Sequence, residues 1–398
     1  MIKKIFPSKL NGEVLAITSK SFAHRAMICH YLATGKVDSL GATESADVLA
    51  TKRCLFALKN GGILDAGESG STLRFFIPLV SAIGGKFTFV GHGKLMQRPN
   101  DELFSVLSSH GISFEKSGDT LTVTGKLTAG EFSIRGDISS QYITGLMFAL
   151  PLLNGDSVIN LTTSIASRPY VDITLEVLKN FGIEIVEIEN KFIIKGNQKF
   201  RSINAVVEGD WSNSAFFLVG GAISGCVTVG GLNLSSLQGD KVIVDVLKSA
   251  GAKVELNGDK VTVFKSSLSA FSFNADDCPD LVPIASILAG ASKGQSVIKN
   301  VKRLKIKESN RIESTINMLS AFGVTAFEQD DNLYVNGTNG QFSGGTVSSF
   351  NDHRIAMSTA IGALIASNTV VIDGANAVDK SYPDFYKDYS LLGGKVDD

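Results

Sequence analysis

Lysines and arginines in this sequence stand where helices ought to begin. In TSKSFAHRAM (18–27), Lys20 lies between Ser19 and Ser21, either of which can cap a helix, and Arg25 follows one turn in. A cation at the positive end of a helix dipole is unfavourable unless an anion shares the site. AGESGSTLRFF (66–76) is a Gly/Ser turn around Gly70 whose backbone N–H groups suit an anion. In LMQRPND (95–101), Arg98 precedes a proline expected in the first turn of a helix. SSQYITG (139–145) offers Ser139, Ser140 and Gln141, and SRPYVD (167–172) offers Ser167, Arg168 and Tyr170. KIKESNRIES (305–314) is expected to set Lys307 and Arg311 at i, i+4 on one helix, a repulsive pair unless an anion bridges it. In NDHRIAM (351–357), Asn351-Asp352 reads as the N-cap of a helix buried all round, with His353 and Arg354 at its mouth. DKSYPD (379–384) adds Lys380.

Singly, each motif has a plain structural explanation. Ser-Lys-Ser is a ready cap, Glu308 and Arg311 suit an i, i+3 surface pair, and His353 suits a satisfied core histidine. Asp280, in CPDLVPIA (278–285), suits a helix start after Pro279. The joint pattern is more informative. In a chain of net charge −1, seven or more cations at apolar helix mouths point to a site for two multiply charged anions. Asp280 and Glu308 become proton carriers if they converge on one cleft.

The elements that must position these residues show up as a repeat. A leucine followed four residues later by glycine recurs at Leu58…Gly62, Leu107…Gly111, Leu178…Gly182, Leu247…Gly251 and Leu319…Gly323. A degenerate sixth copy ends the chain at Leu391-Leu392-Gly393-Gly394. In four copies, alternating apolar residues, a polar turn and renewed alternation follow, as in GISFEKSGDTLTV (111–123) and GAKVELNGDKVTV (251–263). Each copy reads as a helix ending at a C′ glycine, then a hairpin turning at Gly118-Asp119 or Asn257-Gly258. The expectation is an α/β protein of six repeated units of roughly 70 residues, the first shortened.

Composition removes several classes of function. The near-neutral charge argues against a nucleic-acid partner, and the longest apolar stretches (75–85 and 355–367) are too short to span a bilayer. Cys29, Cys54, Cys226 and Cys278 are scattered, without zinc spacing, which fits a reduced cytoplasmic location. Walker, Rossmann and nucleophile-elbow fingerprints are missing.

The motifs SKS…R (19–25), GESGSTLR (67–74), QRP (97–99), SSQ (139–141), SRPY (167–170) and EGDWS (208–212) form one ordered series. QGD (238–240), PD (279–280), KESNR (307–311), NDHR (351–354) and DKSYPD (379–384) complete it. In this the chain resembles the 5-enolpyruvylshikimate-3-phosphate synthase family over essentially its whole length. The resemblance implies a two-lobed inside-out α/β barrel with three units per lobe, residues 1–19 and 209–398 forming one lobe and 20–208 the other. It implies transfer of an enolpyruvyl group from phosphoenolpyruvate to the 5-hydroxyl of shikimate 3-phosphate, by addition and elimination. Neither metal nor redox cofactor is implied, and a monomer is expected.

Carried over to matching positions, the resemblance assigns shikimate 3-phosphate to Lys20, Ser21, Arg25, Ser139, Ser140, Gln141, Ser167, Tyr170, Asp280 and Lys307. It assigns phosphoenolpyruvate to Lys20, Gly70, Arg98, Gln141, Arg311, Arg354 and Lys380, with Asp352 and His353 supporting Arg354. Lys20, Asp280 and Glu308 are the expected catalytic groups. Ile17-Thr18, Glu68, Ser71, Phe75, Arg168 and Arg303 depart from the commoner family pattern. The same-fold alternative, a UDP-N-acetylglucosamine enolpyruvyl transferase, would need a reactive cysteine before Arg98-Pro99, and residues 91–98 contain none. A non-catalytic binder of phosphorylated sugars would need the cations but not the two carboxylates.

Overall fold

The computed structural model describes residues 1–397. The chain divides into two compact units, each with its own hydrophobic core. Met1–Ser19 and Glu208–Asp398 make the terminal unit, and Lys20–Val207 make the inserted unit.

One module is repeated five times. A strand leads into an apolar helix and then a strand parallel to the first. A second helix and a hairpin follow, and the hairpin completes a four-stranded sheet. In the inserted unit, Leu64–Asp65 and Gly85–Val90 flank the helix Gly70–Ile83. The helix Asp101–Ser108 and the hairpin Ile112–Ser117/Thr120–Gly125 follow. The next module repeats this with helices Ser140–Ala149 and Arg168–Asn180. The terminal unit contributes three more, with apolar helices Trp211–Ser224, Val282–Ala291 and His353–Ala363.

Two modules of the terminal unit use the ends of the chain. Ile2–Phe6 is the third strand of the last sheet, between Val370–Asp373 and Lys395–Asp397. Asn11–Leu15 pairs in parallel with Cys226–Gly230, so the entire inserted unit enters within that module's crossover. The shortened first repeat is a pair of helices, Lys20–Thr34 and Ala46–Asn60, which add no strand to the five sheets.

The Leu…Gly repeat has a hydrogen-bond origin. Gly251 N–H bonds to Lys248 O and Ala252 N–H to Leu247 O, both at 2.9 Å, which is the Schellman closure of a helix. Gly182 and Ile183 do the same with Lys179 and Leu178, and Gly323 and Val324 with Ser320 and Leu319. The leucine gives its carbonyl to the cap and its side chain to the core, while the glycine takes the left-handed conformation. One hairpin differs from the reading above. Asn257 pairs with Lys260, so the turn is Gly258-Asp259, matching Gly118-Asp119 in the earlier module.

Helix packing also depends on a missing donor. Pro78 lies inside Gly70–Ile83 and lacks the N–H that would bond Arg74 O. Gly145 of the neighbouring helix fits against that carbonyl, where a Cβ would lie only 2.4 Å away. This close approach brings Arg74 beside Gln141, one turn earlier on the Gly145 helix. No helix among the described residues is long and apolar enough to cross a membrane.

At φ +88, Gly251 takes a conformation that costs an L-residue about 1–2 kcal/mol. Gly251→Ala is expected to lower stability by that amount without changing secondary structure, measured by urea unfolding.

Candidate active site

In the terminal unit, three helix starts converge on Arg311. Its guanidinium, 1% exposed, donates Nη1 to Asp280 at 2.7 Å, Nη2 to Glu308 at 2.5 Å and Nε to Asp352 at 2.9 Å. Arg354 Nη2 reaches the other oxygen of Asp280 at 3.1 Å, and Lys307 Nζ stands 3.9 Å from the oxygen that Arg311 holds. Asp352 caps its helix by accepting the Arg354 N–H at 2.9 Å, and its other oxygen takes Ser309 Oγ–H at 3.2 Å. Lys380 donates to Asn351 O at 2.6 Å, just before that cap. His353 is buried, its Nδ1 4.0 Å from Asp352, beyond hydrogen-bond reach.

The electrostatics follow from these distances. Burial pushes the Asp280 carboxyl up, but Arg354, Lys307 and Arg311 outweigh it and hold the group well below the usual range. Burial drives Lys307 down to about 8, with Asp280 pulling the other way and Arg311 adding to the fall. Arg311 would also fall on burial, yet Asp352, Glu308 and Asp280 raise it above its ordinary value.

Around Lys307 the structure differs from expectation. Lys307 and Arg311 do not share a helix. The helix begins at Arg311, and Lys307 is extended (φ −83, ψ −158) after the short 3-10 turn Lys302–Ile306. The Glu308–Arg311 pair is not a surface pair, because Arg311 is enclosed.

In the inserted unit, Lys20 opens its helix and pairs with Asp47 at 2.8 Å, both largely shielded. Arg25 is buried against Thr174 Oγ1 (2.8 Å), Ser21 O (2.7 Å), Tyr170 O (2.9 Å) and the Phe75 ring. Burial lowers it to about 10, so it stays charged near neutrality. Ser139 caps the helix that starts with Ser140 and Gln141. Ser167 precedes the Arg168 helix in a left-handed conformation, φ 58 and ψ 48, and its side chain makes no cap. Pro99 lies outside any helix, contrary to expectation, because Asn100 occupies the N-cap position and the helix begins at Asp101.

Arg98 lies across the start of the Gly70 helix. A Cβ on Gly70 would sit 2.5 Å from Arg98 Nη1, so a side chain there would push that guanidinium out of its place. Two departures from the family pattern are absorbed locally. Ser71 accepts from Gln141 Nε2 at 2.9 Å, and Arg168 is held by Asp172 and both oxygens of Glu187.

The sequence reading gave no role to Arg74. It is buried, and it donates to Asn100 Oδ1 (3.0 Å), Gln141 Oε1 (2.8 Å) and Pro99 O (2.9 Å). Arg74 thereby turns the Gln141 amide so that its NH₂ points to Ser71, and it braces the segment carrying Arg98. The signal was a lone charge in an otherwise uncharged helix. Asp47, the partner of Lys20, left no comparable trace.

A family model described as EPSP synthase (3-phosphoshikimate 1-carboxyvinyltransferase) matches residues 60–389. The chain belongs to this family. It is 41% identical to the 3-phosphoshikimate 1-carboxyvinyltransferase of Clostridium novyi, over 99% of this chain and 98% of that protein. With the Clostridium kluyveri protein of the same name the identity is 40% at the same coverage. Solved structures share the fold. An EPSP synthase from Acinetobacter baumannii matches at TM-score 0.80 and 23% identity, covering 100% of both chains. The enolpyruvyl transferase NikO from Streptomyces tendae matches at TM-score 0.80 and 14% identity, covering 100% of this chain and 98% of its own. The enzyme is thus a carboxyvinyl transferase of the shikimate pathway, in aromatic amino acid biosynthesis, with the enolpyruvyl transferase fold.

Removing one partner from a buried charge cluster leaves the others uncompensated, at a typical cost of about 3–5 kcal/mol. Arg311→Met is expected to fall near the lower end, since Asp280 and Glu308 are each about a quarter exposed. A loss under about 1 kcal/mol in denaturant unfolding would show that water, not Arg311, compensates the carboxylates.

Proposed function

We propose that the enzyme joins the 5-hydroxyl oxygen of shikimate 3-phosphate to C2 of phosphoenolpyruvate while C3 takes a proton. A proton then leaves the resulting methyl group as the C2–O bond to phosphate breaks, which restores the double bond. Lys20, Ser21, Arg25, Ser139, Ser140, Gln141, Ser167, Tyr170 and Lys307 hold shikimate 3-phosphate in this reading. Lys20, Gly70, Arg98, Gln141, Arg311, Arg354 and Lys380 hold phosphoenolpyruvate, with Asp352 and His353 fixing the helix mouth. Asp280 accepts the hydroxyl proton, and Glu308 and Lys20 move protons at C3. The enzyme acts as a cytoplasmic monomer on these two small molecules, without a metal or redox cofactor.

The observation that carries this reading is the sharing of Asp280 among Arg311, Arg354 and Lys307. A carboxylate held by three cations is a weak base. When substrate phosphate and carboxylate groups engage those cations, their pull on Asp280 is divided and its proton affinity rises. Charge developing at C2 then meets donors already aligned, where a preorganised site is most effective.

Three of the four cysteines do not suit the alternative transferase. Cys29, Cys54 and Cys278 are buried, and burial raises each thiol, opposite to what a reactive thiolate needs.

Release of phosphate on mixing the two substrates tests the reaction. Lys20→Met, Asp280→Ala and Glu308→Gln are each expected to fold and to lose roughly 10²–10⁴ of turnover, the usual worth of a placed proton carrier. Near-native kcat in Asp280→Ala would remove it from the catalytic set.

Lys307 gives a pH test. It is charged below about 8 in the folded protein, so shikimate 3-phosphate binding should weaken as pH rises through that value. The folded state also loses this proton before the unfolded chain does, so the Lys307 contribution to stability rises from about 8 towards the ordinary lysine value. Titration calorimetry on Lys307→Met should show weaker binding with that pH limb gone. A limb that survives the substitution belongs to another group.

A further inference from the structure

The chain leaves the terminal unit at Ser19 and returns at Glu208, and the two passages run side by side. Thr18 bridges to Gly209 in antiparallel fashion. Ser19 N–H bonds to Glu208 O at 2.7 Å, and Asp210 N–H to Ile17 O at 2.8 Å. Backbone pairing of two short segments is marginal by itself. A third element holds them.

That element is the side-chain amide of Gln238, which is 6% exposed. Its Oε1 accepts from Ser19 Oγ at 3.2 Å on the outgoing passage and from Trp211 N at 3.1 Å, at the start of the helix that follows the returning one. Its Nε2 donates to Gly209 O at 2.8 Å and to the Glu208 carboxylate at 2.7 Å. The Glu208 carboxylate is held in turn by Asn233 Nδ2 at 2.8 Å and by the Ser236 hydroxyl. Gly209 is packed tightly enough that a Cβ would lie 2.2 Å from Gly231 O.

We propose that Gln238 is a positioning residue for catalysis: it locks both passages of the chain and so fixes the backbone from which Lys20 projects. The inference rests on the catalytic reading of Lys20, the residue directly after Ser19. Beside Glu208, an amide makes all four bonds, because it offers two acceptor and two donor sites at once. Glutamate would lose the donors and face Glu208 with a second carboxylate. Methionine would fill the space and make none of the bonds.

Misplacing a catalytic group by about 1 Å can cost on the order of 10²-fold in rate, so Gln238→Met is expected to lower kcat at least about tenfold, and by more than it raises either KM. Amide hydrogen exchange at Ser19 and Asp210, the two donors across the passages, should quicken in the same variant. In the exchanged pair Glu208→Gln/Gln238→Glu, the carboxylate at 238 accepts from Ser19, Trp211 and the new amide, so part of the lost kcat should return. A Gln238→Met enzyme with native kcat and native exchange, and only a lower Tm, would overturn the proposal. If that variant does not fold, Ser19→Ala removes a single arm and must show smaller changes of the same sign. Unchanged kcat and exchange in Ser19→Ala would then overturn it. Full turnover in Lys20→Met would defeat the catalytic reading, while the exchange rates would still decide whether Gln238 holds the strands.

Discussion

Arg311 cannot shed its charge, and it is shut away from water. A buried guanidinium is tolerable only if carboxylates with good hydrogen-bond geometry surround it. The three that do so come from different places in the chain. Asp280 belongs to the turn before Val282–Ala291, Glu308 to the loop before Arg311's own helix, and Asp352 to the cap of His353–Ala363. Compensating one charge therefore joins the starts of three helices and ties one module of the terminal unit to the next. Displacing any of them would leave a charge unpaired, so the cluster is positioned by the same energy that makes it costly to disturb.

The repeated module explains why so many candidate residues sit at helix starts. Each module supplies two helices, and every helix start leaves backbone N–H groups in need of acceptors. Ser69, Ser139, Asp210 and Asp352 meet that need with their own side chains. Where the cap is in place, nearby side chains such as Arg98, Gln141 and Arg354 can be turned to other uses. Under the proposed roles, structural capping and anion recognition share the same few positions. A substitution at a cap such as Asp352 should affect stability and binding together, because its carboxylate bonds both the helix backbone and Arg311.

Much of this was legible from local chemistry. The Leu…Gly repeat reported Schellman closures, since a leucine carbonyl and a left-handed glycine are both needed for that bond pattern. Asp352 was readable as a cap from its place before a long uncharged run. Errors arose where distant residues decide. Pro99 suggested a helix start, but Arg74 holds Asn100 from 26 residues away, and the helix begins after it. The Lys307–Arg311 spacing suggested one helix, but Lys307 is drawn out of helical geometry beside Asp280. The placement of the inserted unit inside a strand crossover left no local trace, because the pairing of Asn11–Leu15 with Cys226–Gly230 spans the whole of it. Asp47 was hidden for the same reason, its meaning set by a lysine on another helix.

The low proton affinity of Asp280 bears on the order of events under the proposed roles. Three cations hold this carboxylate in its charged form, so it has little tendency to take a proton. The same cations are the proposed seats of the substrate anions. Once phosphate and carboxylate groups compete for Arg311, Arg354 and Lys307, the stabilisation of the Asp280 anion weakens and accepting a proton becomes easier. The internal carboxylates thus keep the guanidinium groups in place. Their own reactivity is restrained until the ligand arrives. Proton acceptance before the anions are seated is disfavoured by the interactions that assemble the site, so chemistry is tied to full occupancy.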